Sequence, residues 1–187
     1  MNSSRLLSIL MMLQARNGMT SVALAQTLEV SERTILRDID RLSRRNPDGA
    51  LFALFHLAYS EVDLYSATHA MLVAVMCGLA AREVLKWSPE QQVSLCKAAL
   101  TMNLGMTALQ DQLTRQAEVL SPVQRRAIDT HAQKSVDMLT DMGVTDPDWL
   151  EAVREHHTQT PGPLQNRTTG QQLARLIQRA DMFAARL

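Results

Sequence analysis

The sequence has few of the residues that interrupt helices or build disulfide frameworks. It contains 7 glycines, 6 prolines and 2 cysteines in 187 residues, and aromatic side chains make up only 4%. Glycine and proline together fall well below their usual share of about 12%, and no segment alternates convincingly between apolar and polar residues. Because 46% of the residues are hydrophobic, the chain can still bury a core. Disordered and fibrous classes are therefore excluded, and the sequence predicts an all-α fold.

Two further absences concern the cell compartment. Cys77 and Cys96 both lie in apolar stretches, which is typical of a reducing cytoplasm and offers neither a disulfide framework nor a zinc cluster. The apolar run at residues 6–13 is not followed by the small-residue cleavage site of a signal peptide. The longest other run, residues 71–81, is about half as long as a membrane span. We therefore expect a soluble, cytoplasmic protein without a membrane partner.

The net charge of zero conceals an uneven distribution. Residues 1–45 have seven arginines and four acidic side chains, a net charge of +3, whereas residues 46–187 have a net charge of −3. Between them, Asn46-Pro47-Asp48-Gly49 is the strongest turn signal in the chain. We therefore predict a small module over residues 1–45, a junction at 46–49 and a second domain over residues 50–187.

Helix starts in the second domain are marked in a repeated style. Ser88-Pro89-Glu90-Gln91 and Ser121-Pro122-Val123-Gln124 each combine an N-cap serine, a proline at the first helical position and a glutamine at the third. The pattern predicts helices at 49–64, 66–86, 89–103, 106–116, 122–141, 147–157 and 169–187. The last helix is still periodic at the final residue, so we expect a chain that is truncated at its C-terminus.

Three apolar stripes with helical spacing run through the small module, at residues 6–13, 22–28 and 35–42. Ser31 is a good N-cap for the third helix, and Arg33, Thr34 and Arg37 lie on its polar face. Two short helices joined by residues 29–31 have helix-turn-helix geometry.

The segment from Val30 to Leu42, VSERTILRDIDRL, resembles the N-terminal helix-turn-helix of DeoR and WYL-type bacterial transcription regulators, over about 43 residues in all. The resemblance implies that the helix beginning at Ser31 enters the major groove of DNA. The residues that it assigns to DNA binding are Ser31, Arg33, Thr34, Arg37, Arg41 and Arg44, with Arg33 and Thr34 at base edges and the later arginines at phosphates. The alternative is a solvated helix face whose charges have no nucleic-acid partner.

One departure from these regulators affects the expected affinity. They continue from the recognition helix into a short β-wing, whereas here residues 44–47 lead directly into a new apolar helix. A lone module with a net charge of +3 neutralises few phosphates and should bind DNA weakly. We therefore expect a homodimer, whose symmetry a palindromic DNA site would mirror.

The chain from about Tyr65 onward is similar to the HD-GYP branch of the HD-domain metal-dependent phosphohydrolases. The matching segments follow the family's order at residues 65–69, 98–106, 120–131, 155–157 and 179–185. In active relatives, histidines and aspartates from separate helices bind two metal ions, which activate a water molecule for attack on a phosphodiester. The resemblance implies these candidate metal ligands: His69, His131, His156, His157 and Asp181.

The centre of this ligand set is replaced. Where the family has His-Asp-Ile-Gly-Lys, this chain has Met102-Asn103-Leu104-Gly105-Met106. Methionine is a poor ligand for hard divalent metals, and asparagine brings no charge to offset the desolvation of the metal. The segment after His157 also lacks the Gly-Tyr-Pro signature, which argues against cyclic di-GMP recognition. The remaining histidines either hold a single softer metal such as zinc or are hydrogen-bonded relics in a helical core.

Three hypotheses for the whole chain follow. The leading one is a bacterial regulatory protein, in which a DNA-binding helix-turn-helix is coupled to a catalytically inactive HD-like domain for sensing, dimerisation or binding of a protein or nucleotide partner. The alternative is a metal-dependent phosphohydrolase acting on a cyclic dinucleotide or a nucleotide. A joining of two unrelated fragments would also explain the abrupt change of charge.

Overall fold

A computed structural model of the chain describes residues 8, 12, 21–60, 65–159 and 161–186. These residues form nine α-helices and no β-strand, which confirms the all-α prediction for this part of the chain. The helices are α1 (Ser21–Thr27), α2 (Glu32–Ser43), α3 (Pro47–Ser60), α4 (Tyr65–Leu79), α5 (Pro89–Thr101), α6 (Thr107–Leu113), α7 (Pro122–Asp141), α8 (Pro147–Glu155) and α9 (Thr169–Ala184). The predicted helix at residues 6–13 lies almost entirely outside the described residues.

The helices begin where their capping residues predict. Ser88 and Ser121 each close a capping box, in which the serine oxygen and the third-position glutamine satisfy backbone N–H groups reciprocally. Asp146 caps α8, because its carboxylate accepts a hydrogen bond from the Trp149 backbone N–H at 3.1 Å. At the other end of α7, Gly143 has a φ of 86°, the left-handed conformation that ends a helix and favours glycine.

Residues 47–49, predicted as part of a turn, are the first turn of α3. Asn46 caps this helix, since its side-chain oxygen accepts a hydrogen bond from the Gly49 N–H at 3.0 Å. Pro47 then occupies a first-turn position, where its missing N–H removes no hydrogen bond. Helix α2 is therefore followed by another helix, without a strand between them, as the absence of a wing in the sequence predicted.

Helix α4 differs from the predicted continuous helix at 66–86. It changes into a π-helical turn, Ala80–Val84, in which the Leu85 N–H bonds to the Ala80 carbonyl at 2.9 Å. The chain then leaves the helix at Lys86, whose φ of 54° is left-handed. The predicted end of α3 at residue 64 lies outside the described residues, the predicted ends of the helices after α4 lie within three residues of the observed ones, and α9 ends at Ala184.

The segment Tyr65–Val84 is also the most apolar helix of the described residues. It is 20 residues long and contains an 18-residue window with a mean hydropathy of 1.3, so length and composition alone would allow it to cross a membrane. Half of it is buried inside the fold, where α4 packs against α3, α5, α6 and α9. This helix is therefore the centre of the protein core.

The buried core is continuous across the predicted boundary near residue 46. A single cluster of buried apolar side chains extends from Leu24 and Ile35 in the helix-turn-helix segment through Leu54 and Leu72 to Ile177 in α9. Helix α2 packs on α3, and α3 packs on α4, which connects the recognition helix to the larger set of helices. The orientation of α2 is thus fixed by packing against the rest of the chain.

Candidate nucleic-acid interface and metal centre

Helix α2 presents a row of arginines on one face and a buried apolar stripe on the other. Arg33, Arg37, Arg41 and Arg44 follow one another at intervals of three or four residues, which places them on one side of a helix, and all four are exposed. On the opposite side, Ile35 and Ile39 are fully buried. The helix therefore has the polarity expected of a DNA-reading element, with its basic side chains directed to solvent.

The start of α2 is fixed by Ser31 and Thr34. The Ser31 hydroxyl accepts a hydrogen bond from the Thr34 N–H at 3.2 Å and lies 3.0 Å from the Thr34 hydroxyl. Ser31 thus has a structural task at the N-terminus of the helix, in addition to the DNA contact that the resemblance implies. Glu32 in the first turn faces the positive end of the helix dipole.

Three of the five predicted metal ligands come together from the middle of one helix and the end of another. His131 lies in α7, and His156 and His157 follow the last turn of α8. One ligand atom from each of the three residues lies within 4.8 Å of the others. His131 and His156 are fully buried, whereas His157 is exposed and opens the cluster to solvent. We call these three residues the histidine cluster.

The hydrogen bonds of the histidine cluster determine which ring nitrogens have lone pairs. The Nδ1 atom of His131 lies 2.5 Å from the Ile128 carbonyl, and that of His156 lies 2.7 Å from the Val153 carbonyl. A carbonyl can only accept, so both Nδ1 atoms carry the proton. In the neutral rings, both Nε2 atoms then present lone pairs, and these two atoms face each other at 3.2 Å.

Two facing lone pairs repel each other unless a proton or a cation lies between them. Burial, followed by the charge of His157, lowers the pKa of His156 to about 3, so this ring is neutral near pH 7. Burial and the charge of His131 lower the pKa of His157 as well. Hydrogen bonding of Nδ1 to a backbone carbonyl is also how proteins orient metal-binding histidines.

The spacing of the Nε2 atoms fits a tetrahedral metal. Zn–N bonds of about 2.0–2.1 Å at a tetrahedral angle separate two ligand nitrogens by about 3.4 Å, close to the 3.2 Å between His131 and His156. His157 supplies a third ring nitrogen within 4.8 Å of those of His131 and His156, which makes a three-histidine set. A zinc ion held in this way would keep one coordination position open to solvent.

The other two predicted ligands are hydrogen-bonded to each other. His69 Nε2 lies 2.7 Å from Asp181 Oδ1, and Tyr65 stacks on the His69 ring with 5.3 Å between centroids. Burial raises the pKa of Asp181, but the hydrogen bond and charge of His69 outweigh it, together with the charges of His156 and His157, and the net pKa is lowered. Asp181 therefore lies close enough to His156 and His157 for these residues to influence its pKa.

Met102 and Asn103, at the positions that the HD-GYP resemblance aligns with a His-Asp pair, are both buried. The Met102 side chain is fully buried in the core, and the Asn103 side-chain oxygen is buried without a hydrogen-bond partner among the described residues. This loop is tied to α7 by Ser135, whose hydroxyl lies 2.9 Å from the Met102 carbonyl and 2.8 Å from that of His131. The Gly105 N–H donates to the same hydroxyl at 2.8 Å.

Sequence reasoning missed Ser135, because a serine within a helix carries no signal of a tertiary contact. Its bonds place the Met102–Gly105 loop within one helical turn of His131. The uncompensated Asn103 oxygen is costly to bury, by about 1–3 kcal/mol, unless water or an ion contacts it. The donor set is thus two buried imidazoles and one exposed imidazole.

Comparison with known proteins concerns the first of the two candidate sites. A family model described as an HTH domain matches residues 5–48. No curated protein matches the chain, and no solved structure does. The matched segment includes α1, α2 and all six residues predicted to contact DNA, so the comparison indicates a DNA-binding regulatory protein.

Proposed function

We propose that this chain is a cytoplasmic transcription regulator that inserts α2 into the major groove of DNA as a homodimer. The observation that carries the proposal is the exposed arginine row of a capped helix within the segment that matches an HTH domain. Arg33 and Thr34 lie in the first turn of α2, the part of a recognition helix that reaches base edges. Arg37, Arg41 and Arg44 continue along the helix and would contact phosphates.

Selection of duplexes from a random DNA pool tests this function. A homodimer should enrich a palindromic motif whose half-sites are separated by about one turn of B-DNA, roughly 10 base pairs. Protein with Arg33→Ala and Arg37→Ala serves as the reference, and the selected duplex should run as a complex with two chains. Enrichment no greater than that of the reference protein would contradict the proposal.

The helices after α3 supply, in this proposal, a non-catalytic HD-like domain for dimerisation or sensing. Support comes from the order of the family-like segments and from the convergence of His131, His156 and His157. The replacement of the His-Asp pair by Met102 and Asn103 removes an imidazole and an anionic bridge together. Such a site has too few ligands for two hard metal ions, although it retains enough for one borderline metal.

A second function, binding of a single zinc ion, is favoured by the facing Nε2 lone pairs of His131 and His156. Calorimetric titration of protein stripped with a chelator should show one zinc ion per chain. His131→Gln combined with His156→Gln should weaken zinc binding at least about 100-fold, since two ligands are lost. His56→Gln is the matched control and should retain the affinity, because His56 is not among the five candidate metal ligands.

The same chelator-treated protein, after metal is added back, distinguishes a zinc-binding site without activity from a phosphohydrolase. Two metal ions per chain, together with hydrolysis of bis(p-nitrophenyl) phosphate, would support a metallophosphohydrolase and overturn the non-catalytic proposal. One zinc ion without turnover supports a structural or sensing site. Zinc affinity that is equal in the wild type and the double variant would exclude the histidine cluster as the binding site.

A further inference from the structure

A cleft of about 650 Å³ lies between the recognition helix and the central helices of the fold. Helix α2 forms one wall, and α4 with its π-turn and α5 form the other. The apolar part of its lining is contributed mainly by Met71, Val75, Leu79, Val93 and Leu100. Val93 and Leu100 remain about half exposed, at 52% and 49%. The volume lies within the range of small-molecule sites, about 300–1,000 Å³.

The rest of the cleft is strongly basic. Five cationic side chains line it: Arg33, Arg37 and Arg44 from α2, and Arg82 and Lys97 from the opposite wall. No acidic side chain is among the described residues of the lining. Arg82 is paired with the neighbouring Glu83 at 2.6 Å, and Lys97 lies over the Trp149 ring at 5.3 Å. Arg33 and Arg37 are exposed on α2.

Like charges gathered around an apolar surface repel one another and are stabilised by an anion placed between them. Arginine guanidinium groups bind phosphate oxygens in a bidentate manner, and a lysine adds a point charge. The number of cations exceeds what a single carboxylate would need, whereas a phosphate ester offers about two negative charges and three oxygen acceptors. The apolar lining in the same cleft matches a hydrocarbon body attached to that phosphate.

From this arrangement we propose that the cleft binds a phosphorylated small molecule with an apolar body, and that this ligand competes with DNA. Three of the six residues predicted to contact DNA line the cleft, so a bound phosphate would engage the same guanidinium groups. The predicted competition with DNA rests on the proposed DNA-binding function. The predicted binding of the phosphorylated ligand does not depend on it. Because the coupling is reciprocal, DNA would also weaken ligand binding by the same factor.

Octyl phosphate at submicellar concentration is a suitable probe, because it joins the two chemical features in one small molecule. Calorimetry without DNA should show binding of octyl phosphate and none of 1-octanol or inorganic phosphate at the same concentration. Anisotropy at constant ionic strength should then show DNA affinity reduced about 10-fold at saturating octyl phosphate, within the usual range of coupling between sites.

Variants of the cleft wall opposite α2 test whether octyl phosphate acts by binding in the cleft. In the variant with Arg82→Ala and Lys97→Ala, the DNA affinities measured with and without octyl phosphate should be equal. Arg125→Ala with Arg126→Ala removes two exposed cations of α7 that do not line the cleft, and should preserve this ratio. Val93→Glu, at an exposed position, provides a second variant that repels the phosphate without removing a cation.

The outcomes separate this inference from the DNA-binding proposal. Octyl phosphate binding in protein that binds no DNA would support the site and overturn the regulator. DNA binding without any heat from octyl phosphate would overturn the site and leave the regulator intact. Equal octyl phosphate affinity in the wild type, the Arg82/Lys97 variant and Val93→Glu would also overturn the site, because binding would then occur elsewhere.

Discussion

Replacement of Arg33 and Arg37 by alanine is expected to weaken binding to a selected DNA duplex about 100-fold. Each arginine at a base edge or a phosphate contributes about 1–3 kcal/mol, and 1.4 kcal/mol corresponds to a factor of ten in affinity. Both side chains are exposed on α2, so their removal should leave the buried stripe of Ile35 and Ile39 intact. Fluorescence anisotropy at low salt measures the change, and circular dichroism confirms the fold.

The control for general charge effects is the Arg125→Ala and Arg126→Ala variant. These residues also form an exposed basic pair, but they lie near the start of α7, outside the matched segment. Because the net charge changes equally, a loss caused only by long-range electrostatics would appear in both variants. Similar affinities for the two variants would therefore remove α2 from the DNA interface.

Gly105→Ala is expected to lower the free energy of unfolding by about 2–3 kcal/mol, the size of an overpacking effect. A Cβ atom at this position would lie 2.6 Å from the His131 carbonyl oxygen and 3.0 Å from the Ser135 backbone nitrogen. Both neighbours belong to the backbone of α7, which cannot move aside as a flexible side chain can. Relief of the clash would also stretch the hydrogen bond from the Gly105 N–H to Ser135.

Gly78→Ala in α4 is the matched control for this substitution. The added Cβ would meet only Cys96 Sγ at 3.4 Å, an ordinary van der Waals contact. Alanine is favoured over glycine within a helix by about 0.5–1 kcal/mol, so this variant should be as stable as the wild type or more so. Urea unfolding compares the stabilities of the two variants. Equal midpoints would show that the close approach of Gly105 to α7 does not require a glycine at this position.

The helices could be predicted well because their starts are determined locally. An N-cap serine followed by proline and glutamine sets the first turn of a helix regardless of what packs on it, as Ser88 and Ser121 show. Ser31 gave the start of α2 in the same way. The π-helical turn at Ala80–Val84 was not predictable, since it changes hydrogen-bond register without changing the apolar pattern.

The grouping of the candidate metal ligands in space could not be predicted from the sequence. The sequence assigned five residues to one cluster, whereas the structure brings His131, His156 and His157 together and pairs His69 with Asp181. Which imidazoles share a space depends on how α7 and the end of α8 approach each other. The tautomers depend further on the carbonyls of Ile128 and Val153, which no motif specifies.

The basic cleft could not be found from the charge distribution along the chain. The excess of arginine in residues 1–45 pointed to DNA, and the remainder of the chain has a net negative charge. Arg82 and Lys97 come from that acidic part, yet they line the same cleft as Arg33 and Arg37. Only the packing of α2 on α3, and of α3 on α4, places these side chains together.

The most direct test of the regulatory function is the ratio of affinities for a selected palindromic duplex and for a scrambled duplex of the same composition. Both affinities are measured by anisotropy with full-length protein at one fixed, physiological salt concentration. A sequence-specific regulator that reads bases through Arg33 and Thr34 predicts a ratio of about 1,000 or more. A ratio near one would show that the arginine row recognises only the phosphate charge of DNA and not its sequence. That result would contradict the proposed function.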